Sequence, residues 1–556
     1  MSRRFLCFPI FLFLVSLPCF ADSPGVYAIM GGTIHPVSGP AIDNGAVIIR
    51  DGLIESVGSA VAIPLDATIV DVKGGHIYPG LIDAMTSLGF PSASAPRRRG
   101  GGGGGGRTPP ADALPETGPS FLAFREAKLT DDDVDAKRAT GVLTIVTAPA
   151  FGIFNGQSVA LNLGGGTMES RVLRNPAAQQ ISFNPRPAWT YPDSLMGVIS
   201  YIKQTLLDAQ QYSAARSIYD KNPAGYKRPD ESPSLEALGA VLRRDVPVVF
   251  VADSELMIHR VELIAKEFNL RPVIAGARQG YKMGDELKSL GAPVLVSIKW
   301  PVAPTSKEDR EEQPLRVIRD RQLAPTTPAV LAKSGVLFAL VSGAGKTGDF
   351  VPGIRKAIDN GLSADDALRA VTINPAKIIG IDRQLGSLDR GKIANILVTD
   401  KPVFDKEAKV KRIFIDGRES KVAVEDEKKR PGGAGAAAGT SASALDGGWS
   451  FVVKTTAGDA NISATLHVEN GQISGTFSGD RGSGSIGNGT FDGTTVEFSI
   501  SGRGKEEAGD WLFHGTLHGA NMEGTVATTL GTFPFRGARN EITKRGSRLS
   551  GVGSRR

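Results

Sequence analysis

The sequence predicts an α/β protein: a (β/α)8 TIM-like barrel with a small composite β-sandwich from both flanks, plus a separate C-terminal all-β domain. Short apolar runs separated by helical patterns predict the barrel. Strand-like segments with glycine turns on both sides of it predict the sandwich. Alternating apolar and polar residues near the C-terminus predict the third part. With 556 residues the chain is long enough for about two to four domains.

Residues 1–21 have the pattern of a secretory signal peptide. Arg3 and Arg4 precede an apolar run over residues 5–17, and Ala21 ends a plausible cleavage segment. The run is shorter than the roughly 20 apolar residues of a membrane span. We therefore expect an exported protein, periplasmic or secreted, with no transmembrane span after signal removal.

Charge and cysteine content exclude several classes of protein. Cys7 and Cys19 both lie in the predicted signal, so the mature chain would hold neither a disulfide nor a thiolate metal site. The net charge is only +6, and a basic tail over residues 542–556 contributes much of it. We expect no nucleic-acid partner.

The predicted sandwich combines residues 22–75 with residues 384–424. In the first segment, apolar residues at 47–49 and Ile54 flank the turn Asp51-Gly52, a pattern typical of a hairpin. In the second, apolar runs at 396–398 and 413–415 have the same strand character.

The predicted barrel covers residues 76–383. Apolar runs at 141–147, 248–251, 293–298 and 336–341 fit strands buried on both faces. Helical signals lie between the runs. They include an apolar stripe after Val251, Ser363 as a helix cap, and Asn374-Pro375 as the start of another helix. A glycine-rich insertion at residues 96–107 predicts no packed element, because glycine is costly to order and has no side chain to bury.

Residues 425–446 are predicted to be a linker, and residues 447–541 a small antiparallel β-barrel or β-sandwich. Apolar residues alternate with polar ones before the turn Asn470-Gly471, and they are Ile462, Ala464, Leu466 and Val468. About eight short strands fit this segment.

Three motifs carry a family resemblance. They are PGLID at 79–83, TINPAKIIGID at 372–382, and GSLDRGKIANILV at 386–398. Together they resemble the amidohydrolase superfamily, specifically its imidazolonepropionase-like group, over residues 26–420. The resemblance implies a (β/α)8 barrel that hydrolyses non-peptide carbon–nitrogen bonds, in amides or cyclic amides, with zinc or another divalent metal.

The resemblance also implies where the metal ligands belong: two histidines after the first barrel strand, one on the fifth, one on the sixth, and an aspartate on the eighth. Met85 and Ser87 occupy the first pair of positions, and Val251 the fifth-strand position. The sixth and eighth strands offer no histidine or aspartate there. The metal site is degenerate, and we predict no cofactor.

Asp253 and Lys299 follow the fifth and seventh predicted strands and are the candidate catalytic residues. A carboxylate can act as a general base, and a desolvated lysine can form a Schiff base. Each also has a structural interpretation. Asp253-Ser254 resembles a helix N-cap, and Lys299 fits a solvated or ion-paired side chain.

The six histidines are predicted to have structural rather than ligand roles. They are His35, His76, His259, His467, His514 and His518.

Three hypotheses of function follow. The first is hydrolysis of carbon–nitrogen bonds, as the family resemblance implies. The second is a non-catalytic barrel that binds a small-molecule ligand or a partner in the former catalytic pocket. The third is binding or docking through the C-terminal β domain. The sequence sets neither the ligand nor the oligomeric state.

Overall fold

The structure is a computed structural model that describes residues 25–422 and 445–539, with internal gaps. The gaps are 91–116, 187–190, 305–309, 311 and 344–348, then 456–457, 470–471, 480–481, 492–493, 502–509 and 529–530. The predicted signal peptide, glycine-rich insertion and basic tail, and the predicted linker up to residue 444, lie outside the described residues. The described residues up to 422 form one compact unit, and those from 445 form another.

Both ends of the first unit contribute to one mixed sheet. Its strands are β1 (Tyr27–Ile34), β2 (Ile42–Arg50), β3 (Leu53–Gly58), β4 (Thr68–Asp71), β5 (His76–Pro79), β14 (Ile396–Thr399), β15 (Val410–Ile415) and β16 (Arg418–Ser420). The order is β16-β15-β14-β5-β1-β2-β3, and β4 pairs with β1. The two flanks therefore join as predicted, but as a single sheet, which also takes in residues 76–79.

The second sheet surrounds the centre of the first unit. Its strands are β6 (Leu81–Thr86), β7 (Val142–Thr147), β8 (Phe154–Asn162), β9 (Val172–Ser182), β10 (Val248–Ala252), β11 (Pro272–Gly276), β12 (Val294–Ser297) and β13 (Phe338–Val341). They lie side by side in chain order. The first and last strands meet through a bridge between Thr86 and Gly343, and the Gly343 amide donates to the Met85 carbonyl over 2.9 Å. The sheet is thus nearly closed.

One strand of this sheet contradicts a regular (β/α)8 pattern. Strand β8 runs antiparallel to both β7 and β9, whereas the other strand pairs of the sheet are parallel. The connection over residues 148–153 is too short for the helical crossover that a parallel pair needs. The predicted mixed α/β architecture is confirmed, whereas the parallel direction that a (β/α)8 barrel implies for the third strand is wrong.

Twelve α-helices surround this sheet within the described residues. They are α1 (Ala123–Glu126), α2 (Asp131–Ala139), α3 (Met168–Arg171), α4 (Leu195–Lys221), α5 (Pro233–Leu242), α6 (Glu255–Glu267), α7 (Gly284–Leu290), α8 (Leu315–Leu323), α9 (Thr327–Ser334), α10 (Phe350–Asp359), α11 (Ala364–Ala370) and α12 (Ile373–Ile379). None of these helices is long and apolar enough to cross a membrane.

Side chains set the starts of several helices. The Ser254 hydroxyl accepts from the Met257 amide at the start of α6, and Ser363 caps α11 as predicted. The predicted helix start at Asn374 is wrong. Helix α12 begins at Ile373, two residues before the predicted first helical residue Pro375, and the Asn374 side-chain amide donates to the Phe338 carbonyl instead. That bond ties α12 to strand β13.

A buried polar network joins the two sheets. The side-chain oxygen of Asn162, Oδ1, accepts from the Thr144 hydroxyl over 2.9 Å and from the Asn395 side-chain amide over 2.8 Å. The Asn162 amide donates to Asp416 over 2.7 Å. Burial raises the pKa of Asp416. Because each buried group has a partner, the network fixes how the composite sheet meets the barrel.

The C-terminal unit is a closed antiparallel barrel of eight strands. They are β17 (Gly447–Thr455), β18 (Gly458–Glu469), β19 (Gln472–Gly479), β20 (Gly482–Phe491), β21 (Thr495–Ser501), β22 (Asp510–His518), β23 (Asn521–Thr528) and β24 (Gly531–Arg539). Aromatic side chains fill much of its interior, and the Phe498 and Phe513 rings stack 4.8 Å apart. The predicted all-β character of this segment is correct.

Candidate functional site

A cavity of about 430 Å³ lies in the first unit at the carboxyl ends of the parallel strands. Residues at or just beyond the ends of β6, β10, β11, β12 and β13 line it. The oppositely directed strand β8 contributes a residue from its amino end. This edge of a barrel sheet is where ligands and catalytic groups lie in comparable folds. Apolar side chains form much of the wall, including Met85, Val251, Val341, Trp300 and Val302.

The three positions that the family resemblance assigns to metal ligands all line this cavity. Met85 lies near the end of β6 and Ser87 just beyond it, and both residues line the cavity. Val251 faces the cavity from β10. The structure therefore brings together the three positions that the family resemblance selected.

The side chains at these positions do not fit a divalent metal. Zinc sites use imidazole, thiolate or carboxylate ligands, and a thioether, a hydroxyl and an isopropyl group provide none of them. Among the described residues, no group of three or more His, Cys, Asp or Glu side chains could hold a metal ion. Asp253, which is the one acidic residue among the described residues that line the cavity, is already paired.

Asp253 forms an ion pair with Arg278. An Arg278 Nη donates to Asp253 Oδ2 over 2.5 Å, and this bond raises the pKa of Arg278. A Cβ atom at Gly276 would lie 2.3 Å from Asp253 Oδ1, so glycine is required beneath the carboxylate. Asp253 is therefore held as a partner of Arg278. The cap of α6 is Ser254, not Asp253.

Lys299 also lines the cavity, and it stands on a well-anchored turn. The buried Trp300 indole donates to the Gly353 carbonyl over 2.8 Å, and the Ile298 amide donates to the Val341 carbonyl. The Lys299 side chain is exposed and forms no ion pair with a carboxylate among the described residues. A Schiff-base lysine needs a desolvated amine, which this position does not give.

A polar residue that sequence reasoning missed lies in the cavity wall. Asn155 on β8 is only 2% exposed. Its amide nitrogen donates to the Phe151 carbonyl over 2.8 Å, while its Oδ1 has no hydrogen-bond partner among the described residues. The signal that could have revealed it is a polar side chain one position into an otherwise buried strand.

A fully buried ion pair closes the barrel near the cavity. Lys137 on α2 donates to Asp83 Oδ2 over 2.7 Å and to the Ser342 hydroxyl over 3.3 Å. The Ser342 amide donates to Asp83 Oδ1 over 3.0 Å. The three side chains join the first strand, a helix and the end of the last strand. Since all are at most 1% exposed, they are structural groups.

Two histidines that the sequence analysis treated separately meet in the composite sheet. His35 Nε2 lies 3.1 Å from His76 Nδ1, and the His35 ring stacks on Tyr78 at 4.4 Å. Burial lowers the pKa of both imidazoles, and the neighbouring His76 lowers that of His35 further. His259 is half exposed on α6 beside Glu262, and the other three histidines lie in the C-terminal barrel.

The fold and the cavity define a class of protein, a nearly closed α/β barrel with its pocket at the carboxyl ends of the strands. The model of the Amidohydrolase family matches residues 312–420. An amidohydrolase from Thermotoga maritima MSB8 is similar to 71% of this chain and 99% of its own, with 24% identity and a TM-score of 0.61. The match over residues 312–420 supports the superfamily assignment that the motifs predicted, and the likeness to the Thermotoga structure shows the fold.

One curated relative is similar over a short stretch. An N-substituted formamide deformylase from Arthrobacter pascens is 42% identical over 65 residues. These residues make up 11% of this chain and 12% of the deformylase. The match thus spans about an eighth of that relative.

Proposed function

We propose that this protein is a non-catalytic amidohydrolase relative whose barrel cavity binds a small molecule without metal-dependent hydrolysis. One observation carries the proposal. The three former ligand positions line one cavity, and they hold Met85, Ser87 and Val251. Because Arg278 is ion-paired with Asp253, the described residues of the wall offer a metal no free imidazole or carboxylate.

The cavity supports the ligand-binding part of the proposal. Its volume of about 430 Å³ falls within the range of roughly 300–1,000 Å³ that is typical of small-molecule sites. Apolar walls with a few fixed polar groups are also typical of such sites. The methionine and valine make this pocket more apolar than histidines would.

Metal content and turnover test the proposal together. The purified mature protein would be analysed for bound metals, then assayed with N-formyl, N-acyl and cyclic amide substrates before and after incubation with zinc, manganese or cobalt. We expect far less than one metal per chain and no turnover above background. Stoichiometric zinc together with turnover that a chelator abolishes would refute the proposal.

A variant with restored ligands serves as the matched control. Met85→His, Ser87→His and Val251→His combined would place three imidazoles on the wall of one cavity. We expect this variant to take up about one zinc ion under the conditions that leave the natural chain without metal, because three neutral imidazoles suffice for a zinc site. Zinc bound equally by both proteins would contradict our account of the lost site.

The alternative function is hydrolysis of carbon–nitrogen bonds, and the short similarity to the formamide deformylase favours it. Without a metal it would need Asp253 or Lys299 as the catalytic group. Either Asp253→Asn or Lys299→Met would then abolish turnover, whereas our proposal expects no turnover to lose. Docking through the C-terminal barrel and export to the periplasm or medium stay predictions, and fractionation of cells that express the full chain would test export.

A further inference from the structure

The cavity lining indicates the chemistry of the ligand as well as its size. Among the described residues, three charged side chains line the wall: Asp253, Arg278 and Lys299. The first two neutralise each other through their ion pair. One positive charge therefore remains, on Lys299, whose backbone is fixed on both sides by hydrogen bonds.

A second group on the same wall lacks a partner. The Asn155 amide nitrogen is held by the Phe151 carbonyl, which can only accept, so the orientation of this amide is determined. Its Oδ1 is left as a buried acceptor without a donor among the described residues. Leaving a buried acceptor unsatisfied is unfavourable, so a bound donor would be favoured.

We propose that the cavity takes a small organic anion with an apolar body and an N–H or O–H donor. Lys299 pairs with the anionic group, Asn155 Oδ1 accepts from the donor, and the body packs against the apolar wall of the cavity. This inference rests on the proposed function, since it assigns a ligand class to a site that binds without a metal.

Other parts of the molecule carry less. The aromatic interior of the C-terminal barrel belongs to its core, and nothing shows what would cover the exposed apolar side chains of α4 and α6. The buried Lys137 is engaged on the outer side of the barrel sheet by Asp83 and Ser342. Within the part of the chain that the structure describes, the cavity alone combines an unpaired cation with an unpartnered buried acceptor.

Matched probes separate the two contacts. Indole carboxylates, with the acid on the ring or at the end of an acetate or propionate chain, carry both features. The corresponding benzofurans replace the N–H by oxygen, and the carboxamides remove the charge. Calorimetric titration of the metal-free full-length protein would give the dissociation constant of each probe.

We expect at least one indole carboxylate to bind about tenfold more tightly than its benzofuran counterpart, the effect of roughly one hydrogen bond. We also expect it to bind more tightly than its carboxamide. In Asn155→Leu the indole and the benzofuran should bind with nearly equal affinity, while the acid should still bind more tightly than the carboxamide. Lys299→Met should remove the preference for the acid, while the indole should still bind more tightly than the benzofuran.

Lys333→Met is the matched control, because Lys333 is an exposed lysine on α9 away from the cavity. It should change neither preference. Melting temperatures would establish that each variant is folded, and Asn155→Ala would replace Asn155→Leu if the larger side chain prevents folding.

The outcomes distinguish the two proposals. The ligand class is overturned if no probe binds, if indole and benzofuran bind equally to the natural chain, or if either preference survives its variant. Binding without these preferences would leave the proposed function standing. Binding only after zinc loading, or hydrolysis of a carboxamide, would overturn the proposed function itself.

Discussion

Lys137 offers the sharpest test of how the barrel is closed. Its ammonium group is 1% exposed, and it donates to the fully buried Asp83 and to the Ser342 hydroxyl. Lys137→Met keeps the length and the apolar stem of the side chain but removes the charge. Asp83 is then left as a buried carboxylate with only the amide and hydroxyl of Ser342 as donors.

The expected loss is about 3–5 kcal/mol in the free energy of unfolding, the range found when one member of a buried ion pair is removed. Urea unfolding followed by far-ultraviolet circular dichroism would measure it. The signal reports the first unit, because the twelve α-helices described above all lie before residue 380.

Two further variants control this measurement. Lys128→Met removes an exposed lysine and should change the free energy of unfolding by less than about 0.5 kcal/mol. Lys137→Met combined with Asp83→Asn removes both charges, and it should be more stable than Lys137→Met alone. A loss below about 1 kcal/mol for Lys137→Met, or a double variant less stable than the single one, would refute the reasoning.

Further predictions concern backbone fit and pH. Gly276→Ala should lower the melting temperature more than Gly291→Ala. Both glycines have positive φ, but only a Cβ atom added at position 276 would lie within 4 Å of a neighbouring group, and the nearest atom is Asp253 Oδ1. Equal losses would show that the clash with Asp253 is relieved without cost. The neutral His35–His76 pair stabilises the folded state. This contribution is fully present above the pKa of about 6.5 that histidine has in the unfolded chain, and it is lost as pH falls through the lower pKa values of the two histidines in the folded protein. Melting temperatures between pH 8 and pH 5, about the range over which a histidine titrates, should fall less in His35→Gln than in the natural chain.

The sequence predicted the parallel part of the barrel well, because buried parallel strands are continuous apolar runs. The runs at 248–251 and 293–298 correspond to β10 and β12. Of the cavity-lining positions, Met85 followed from the PGLID motif on β6 and Val251 from its place in the fifth predicted strand. Asp253 and Lys299 also line the cavity, although the structure gives Asp253 a partner just beyond the next strand.

Other features depend on contacts that a local pattern does not contain. Strand β8 carries polar residues although it is buried throughout, since their partners come from elsewhere in the chain. Asn162, for example, bonds to Asp416, 254 positions away. The His35–His76 contact likewise depends on the pairing of β1 with β5. Such tertiary partners override the local pattern from which strands are predicted.

The composite sheet also constrains how the protein can be made. Strand β5 pairs with β14, and the Val403 amide bonds to the Tyr78 hydroxyl across 325 positions of chain. During synthesis from the N-terminus, β5 therefore keeps an unpaired edge until residues near 400 have left the ribosome. The sheet that the chain begins first is among the last parts of the first unit to be completed, and a nascent chain halted before β14 cannot finish it.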